Sequence, residues 1–108
     1  MPTAHLNGER ITDWDSFHTE CTVAFGFPEF YGRNMNAWVD CLSYLRDDDG
    51  MSKFRLKDNE ILNIEVQHSD KLRQHLPEII EELEFCIAAI NERYEDYGEA
   101  AGLKLVLR

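Results

Sequence analysis

The sequence predicts an α/β domain, a small three-stranded parallel sheet packed with three to four helices. Three observations predict it. Short β-type runs stand near both ends and in the middle of the chain, at 3–6, 61–66 and 103–107. Between them, apolar residues recur every three to four positions, the period of a helix with one buried face. Gly or Pro falls at most of the boundaries. The order strand, helices, strand, helices, strand is that of parallel strands joined by right-handed crossovers. Residues 1–108 read as one domain, with no internal repeat, linker or low-complexity tract.

Thr3-Ala4-His5-Leu6 is the first strand, closed by the turn signal Asn7-Gly8. Thr12, with Asp15 three residues on, resembles a capping box with a shortened acid. Behind it, Trp14, Phe17, Cys21, Ala24 and Phe25 make one buried stripe. Gly26 ends this helix, and Pro28 blocks its continuation. Phe27 to Arg33 is an aromatic loop in which Gly32 is placed to supply a left-handed turn. Asn34 is the N-cap of a second helix that turns Ala37, Trp38, Cys41, Leu42 and Leu45 inward.

Asp47-Asp48-Asp49-Gly50 ends that helix in a polar connection running to Glu60, tacked down by Phe54 and Leu56. Ile61 to Val66 is the central strand, and a short helical turn follows Ser69 and Asp70. Pro77 opens a long helix. Its stripe is Ile79, Ile80, Leu83, Cys86, Ile87, Ile90 and Tyr94. Gly98 and Gly102 bracket the last loop, and Leu103 to Leu107 forms the last strand.

Charge narrows the function. Twenty-one Asp and Glu against eleven Lys and Arg give −10 at pH 7. Self-repulsion on that scale argues against direct binding to nucleic acid or an anionic membrane and favours a basic partner. Acid in excess also serves plain solubility. Cys21, Cys41 and Cys86 are odd in number, widely spaced and set in apolar stretches, which suits small buried hydrophobes in a reducing cytoplasm. No apolar run approaches the ~20 residues of a membrane span. The four histidines do not cluster with the cysteines, so no metal site and no cofactor are expected.

Enzyme signatures are missing: there is no P-loop, G-x-G-x-x-G, G-x-S-x-G or H-E-x-x-H. Asp47 to Gly50 invites a calcium-loop reading. With Gly50 in the sixth place, however, the first and twelfth ligand positions fall on Leu45 and Leu56, neither of which binds calcium. The acids at Glu81/Glu82/Glu84 and Glu92/Glu95/Asp96 suit the solvated face of a helix. A hydrolase using them is the weakest of three readings, and no catalytic residue is assigned.

The most distinctive stretch is Phe27 to Leu42, where the aromatic loop runs straight into a helix start. Asn36, Asp40 and Tyr44 are spaced by four and share one helical face, opposite the core residues. Met35 and Val39 flank this row. Aromatic anchors beside a carboxylate suit a protein-binding epitope. The same pattern also fits Phe30 and Tyr31 tucked under the loop and an ordinary solvent-facing Asp40.

At these residues the sequence resembles the barstar (barnase inhibitor) family. Its pattern is an apolar residue, Pro-Glu, two aromatics, Gly, any residue and Asn, then a helix with Asp-Ala and Asp-Cys-Leu. Pro28, Glu29, Tyr31, Gly32, Asn34, Ala37, Asp40, Cys41 and Leu42 match it. A looser likeness covers the Asn7-Gly8-Glu9 turn, the first helix, the central strand and the C-terminal helix–strand unit. The resemblance implies a barstar-like fold and a stoichiometric inhibitor that plugs a basic bacterial ribonuclease in a 1:1 complex. In that reading Asp40 stands in for an RNA phosphate among the cations of the nuclease.

Pattern and resemblance together assign partner binding to Phe30, Tyr31, Gly32, Arg33, Asn34, Asn36, Val39, Asp40 and Tyr44. There are departures. Phe30 stands where the family usually has Tyr, Asn36 where it has Asp, and Val39 where it has Trp. A later family Glu that contacts the nuclease aligns with Arg93, and small shifts give Glu92 or Glu95. The 46–60 connection and the 77–94 helix region are longer than usual. These changes point to a ribonuclease other than barnase itself. The runner-up reading is an acidic interaction module of the same fold that binds a non-nuclease basic partner.

Overall fold

The computed structural model of the protein describes residues 2–48 and 50–108. Asp49, within the proposed polar turn, lies outside the described residues. Strands β1 (Thr3–Asn7), β2 (Leu62–Gln67) and β3 (Leu103–Leu107) form a parallel sheet in the order β1-β2-β3. Ala4 pairs with Ile64 and Ile64 with Leu105, so the strand expected at the centre is the central one.

Burial alternates along β1 and β2. Ala4, Leu6, Leu62, Ile64 and Val66 are buried, whereas His5, Asn63, Glu65 and Gln67 are not. Period-two burial means that helices cover one face only and leave the other polar. On that open face His5 and Arg108 flank Glu65 at 3.4 and 3.7 Å. A hydrogen bond from Gln67, helped by the nearby Arg108 charge, holds the Glu65 carboxyl below its ordinary pKa.

The helices are α1 (Trp14–Phe25), α2 (Met35–Leu42), α3 (Ser69–His75) and α4 (Pro77–Asp96). One core cluster joins them to the sheet, with Trp38, Phe17, Phe25, Leu42 and Ile90 fully buried. Phe25 meets Trp38 edge-on at 5.9 Å. The three cysteines are free and buried in this cluster, as their apolar settings suggest. Burial raises the pKa of each thiol, which keeps all three unreactive at neutral pH.

Local signals account for most boundaries. Gly26 closes α1 at φ 66°, a left-handed conformation that a side chain would strain. Gly8 opens a 3-10 turn (Gly8–Arg10) against β2. A Cβ there would lie 2.5 Å from the Gln67 carbonyl, so only glycine fits.

The α1 cap falls one residue later than the Thr12/Asp15 box. Asp13 accepts the Ser16 N–H at 2.8 Å while Ser16 Oγ accepts the Asp13 N–H at 3.0 Å. Ser16 can reciprocate because it occupies the third helical position, whereas Asp15 occupies the second and pairs with Arg33. Hydrogen bonding from Ser16, chiefly through its backbone N–H, also lowers the Asp13 pKa.

Among the described residues, the long connection from Arg46 to Glu60 has no strand or helix, yet it is held. Leu56 is buried, Phe54 is packed against the core, and the Lys53 N–H donates to the Phe25 carbonyl at 2.8 Å.

Candidate partner-binding surface

The surface begins where α1 hands the chain to α2. Phe27 packs on Phe25 and Tyr31, with ring centroids 5.2 and 4.5 Å apart. The paired aromatics then diverge. Tyr31 is 7% exposed, and its hydroxyl shares a 2.7 Å hydrogen bond with His18 Nδ1; Phe30 is 76% exposed. Of the two readings of this loop, the tucked one holds for Tyr31 and the outward one for Phe30. Tyr31 therefore supports the loop from beneath. Burial keeps the Tyr31 phenol protonated. Burial, helped by the nearby Arg33 charge, lowers the His18 pKa below its ordinary 6.5.

The left-handed residue of the turn is Arg33, at φ 52°, and not Gly32. Arg33 is held there by its side chain. Its Nη2 donates to the Asp15 carbonyl and carboxylate at 2.8 and 2.9 Å and to Thr19 Oγ1 at 2.9 Å. The guanidinium is thus turned back onto α1. Gly32 keeps a different constraint: a Cβ there would crowd the Asn34 amide and Ala37 at 3.3 and 3.4 Å.

Asn34 is the expected cap of α2, accepting the Ala37 N–H at 2.8 Å. Asn36 and Asp40 stand exposed on one face of that helix. Val39 is half-buried and packed against the core, so only part of it faces outward. Tyr44 departs from the helical row, because α2 stops at Leu42. The Tyr94 hydroxyl causes the stop by donating to the Leu42 carbonyl at 2.9 Å and accepting the Leu45 N–H at 3.1 Å. The Leu42 carbonyl is thus engaged by a side chain, and the chain continues into a turn. Tyr44, 43% exposed, faces a groove shared with Ser43, Arg93, Asp96 and Tyr97.

Two residues outside the expected set shape this end. Arg93 Nη1 donates to Asp40 Oδ1 at 3.3 Å and to Ser43 Oγ at 3.2 Å, so of Glu92, Arg93 and Glu95 it is Arg93 that meets the acidic row. Arg46 lies nearly buried behind it. Its guanidinium reaches the carbonyls of Lys57, Glu60 and Ala100 and the Glu99 carboxylate, and it sits 5.0 Å over the Tyr94 ring. Neither arrangement has a local sequence signal: Arg93 meets Asp40 across 53 positions, and the partners of Arg46 lie 11 to 54 positions away. Tyr97, 82% exposed at the end of α4, adds an aromatic that the sequence reading did not single out.

Among the described residues, no group of His, Cys, Asp and Glu side chains is arranged to hold a metal ion. No helix there is long and apolar enough to cross a membrane.

A parallel sheet covered on one face, with a loop and a short helix displayed at its side, defines a small α/β protein of the barstar-like fold class. The chain matches the Barstar (barnase inhibitor) family over residues 1–106 and belongs to it. Proteins of that family are inhibitors and not enzymes. No curated protein matches the sequence.

Proposed function

We propose that the chain occludes the active site of a basic bacterial ribonuclease in a 1:1 complex, with Phe30 as an aromatic anchor and Asp40 in place of an RNA phosphate. The observation that carries the reading is the family match over residues 1–106, with Asp40 exposed on α2 at the position of the family's acidic anchor. The physics is favourable. A carboxylate entering a desolvated cleft of guanidinium groups accepts charge-assisted, bidentate hydrogen bonds. The charge of −10 accelerates encounter with a basic enzyme. The proposed setting is the cytoplasm, where Cys21, Cys41 and Cys86 stay reduced.

The test is an inhibition titration against a barnase-type ribonuclease at low and high salt. Asp40→Ala weakens binding by roughly 2–5 kcal/mol, the range for truncating one member of a buried interfacial charge pair, measured on inhibitor complexes of this family among others. Glu81→Gln and Glu84→Gln, on the solvent face of α4, change affinity little. Association slows with salt, because attraction is screened beyond about 10 Å at 0.1 M. Equal effects of Asp40→Ala and the two α4 substitutions would remove Asp40 from its role.

A second reading, an acidic module for a non-nuclease basic partner, is favoured by Asn36, Val39 and the cation at Arg93. Capture of a partner from the source cell and its identification by mass spectrometry separates the two.

A further inference from the structure

The Arg93–Asp40 contact places a positive charge against the acid that the inhibitor reading assigns to the nuclease. Both side chains are accessible, Arg93 at 50% and Asp40 at 60%, so the pair stands at the surface and is not part of the core. In water such a pair contributes little to stability. Inside an interface it matters more. A ribonuclease guanidinium that takes Asp40 removes the one carboxylate paired with Arg93 among the described residues and leaves it the neutral Ser43 hydroxyl, and a guanidinium in a desolvated cleft without a paired countercharge is unfavourable. The groove that holds Arg93 offers Ser43 and Asp96 beside it, with Tyr44 and Tyr97 as walls. A cleft lined only with cations therefore meets a like charge where the inhibitor reading needs an acid.

We propose that Arg93 is the specificity-determining residue of this surface, disfavouring ribonucleases with purely cationic clefts and selecting one that sets a carboxylate beside its cations. The proposal rests on the ribonuclease-inhibitor reading. In the selected complex the nuclease cation takes Asp40 while its carboxylate receives Arg93, so each displaced charge regains a partner. Specificity of this kind comes from a repulsive element as much as from an attractive one.

The experiment is an inhibition titration of a barnase-type ribonuclease by the native protein, Arg93→Lys, Arg93→Ala, Arg93→Glu and Asp40→Ala/Arg93→Ala. Arg93→Glu inhibits about tenfold more tightly than the native protein, with the gain largest at low salt, where charge acts over the longest range. Arg93→Ala gains less, and Arg93→Lys stays near the native value. With Asp40 already removed, the gain from Arg93→Ala shrinks several-fold, because part of it is the release of Asp40. Thermal melts of all variants remain near native, as befits an exposed pair. In the reciprocal arm, replacing the nuclease cation nearest position 93 in the complex by Glu makes the native protein a better inhibitor than Arg93→Glu.

Inhibition by the native protein that Arg93→Glu fails to improve overturns the role of Arg93 and leaves the inhibitor reading standing. No inhibition by any variant that retains Asp40 overturns the inhibitor reading and the role of Arg93 with it.

Discussion

At the loop end of α2, Tyr31 and Arg33 are fixed by contacts with α1, whereas at the other end Asp40 and Arg93 meet in the open. The loop end is a frame. Tyr31 is packed between Phe27 and His18, Arg33 makes three hydrogen bonds to α1, and Asn34 caps the helix that follows. Phe30 projects from that frame, so presenting it to a partner costs little further ordering. The charged end has a firm base and a loose top. Tyr94 and Arg46 secure the backbone where α2 stops, while the ion pair above them is accessible and screened. Shape is thus preorganised at one end, and charge stays adjustable at the other.

The comparison can be broken most forcefully from beneath the charged end. Arg46→Ala removes donors from three backbone carbonyls and one carboxylate, and it lowers stability by about 1.5–3 kcal/mol, the scale of hydrogen bonds to a charged group. Urea unfolding measures the loss. A change within experimental error would show that the 46–60 connection holds itself and that Arg46 secures nothing.

At the loop end, Asn34→Ala lowers stability by about 1 kcal/mol, the usual value of an N-cap, and Asn34→Asp largely preserves it. The same Asn34→Ala protein binds its target less well through a less ordered Phe30, while the Asp40–Arg93 contact is unaffected. If affinity survives intact, the loop is not preorganised by its cap.

The smallest effect is the pH response of His18. Its folded-state pKa lies below the ordinary 6.5, so the unfolded chain binds the proton first as pH falls. The contribution of this residue is fully present above pH 6.5 and is lost progressively as pH drops from there toward the folded-state pKa. An NMR titration of the imidazole reports the depressed midpoint directly. A midpoint at or above 6.5 would mean that His18 is not buried in solution.

Much of the fold was legible because its signals are local. Strand β3, the Asn34 cap, the Gly26 stop and the stripe of α4 each rest on residues within a few positions of one another. The same locality explains the shift of the α1 cap from Thr12 to Asp13. Two overlapping patterns stood one residue apart, and only the geometry of Ser16 chose between them. The left-handed residue was assigned to Gly32 on intrinsic freedom, but three hydrogen bonds from Arg33 to α1 outweighed that preference. Tyr44 was placed on the α2 face by a period that presumes a continuing helix, and the hydroxyl of Tyr94, fifty positions away, ended the helix first.

The sequence by itself determined the parallel α/β architecture, the family and the stretch that carries the candidate surface, because periodicity, caps and a dense motif are written in neighbouring residues. Only the tertiary structure decided that Phe30 faces outward while Tyr31 is buried, that Arg46 and Tyr94 anchor the end of α2, and that Arg93 rests on Asp40. Those outcomes depend on which side chains distant segments bring within hydrogen-bonding reach, and separation along the chain leaves no periodic trace of that distance.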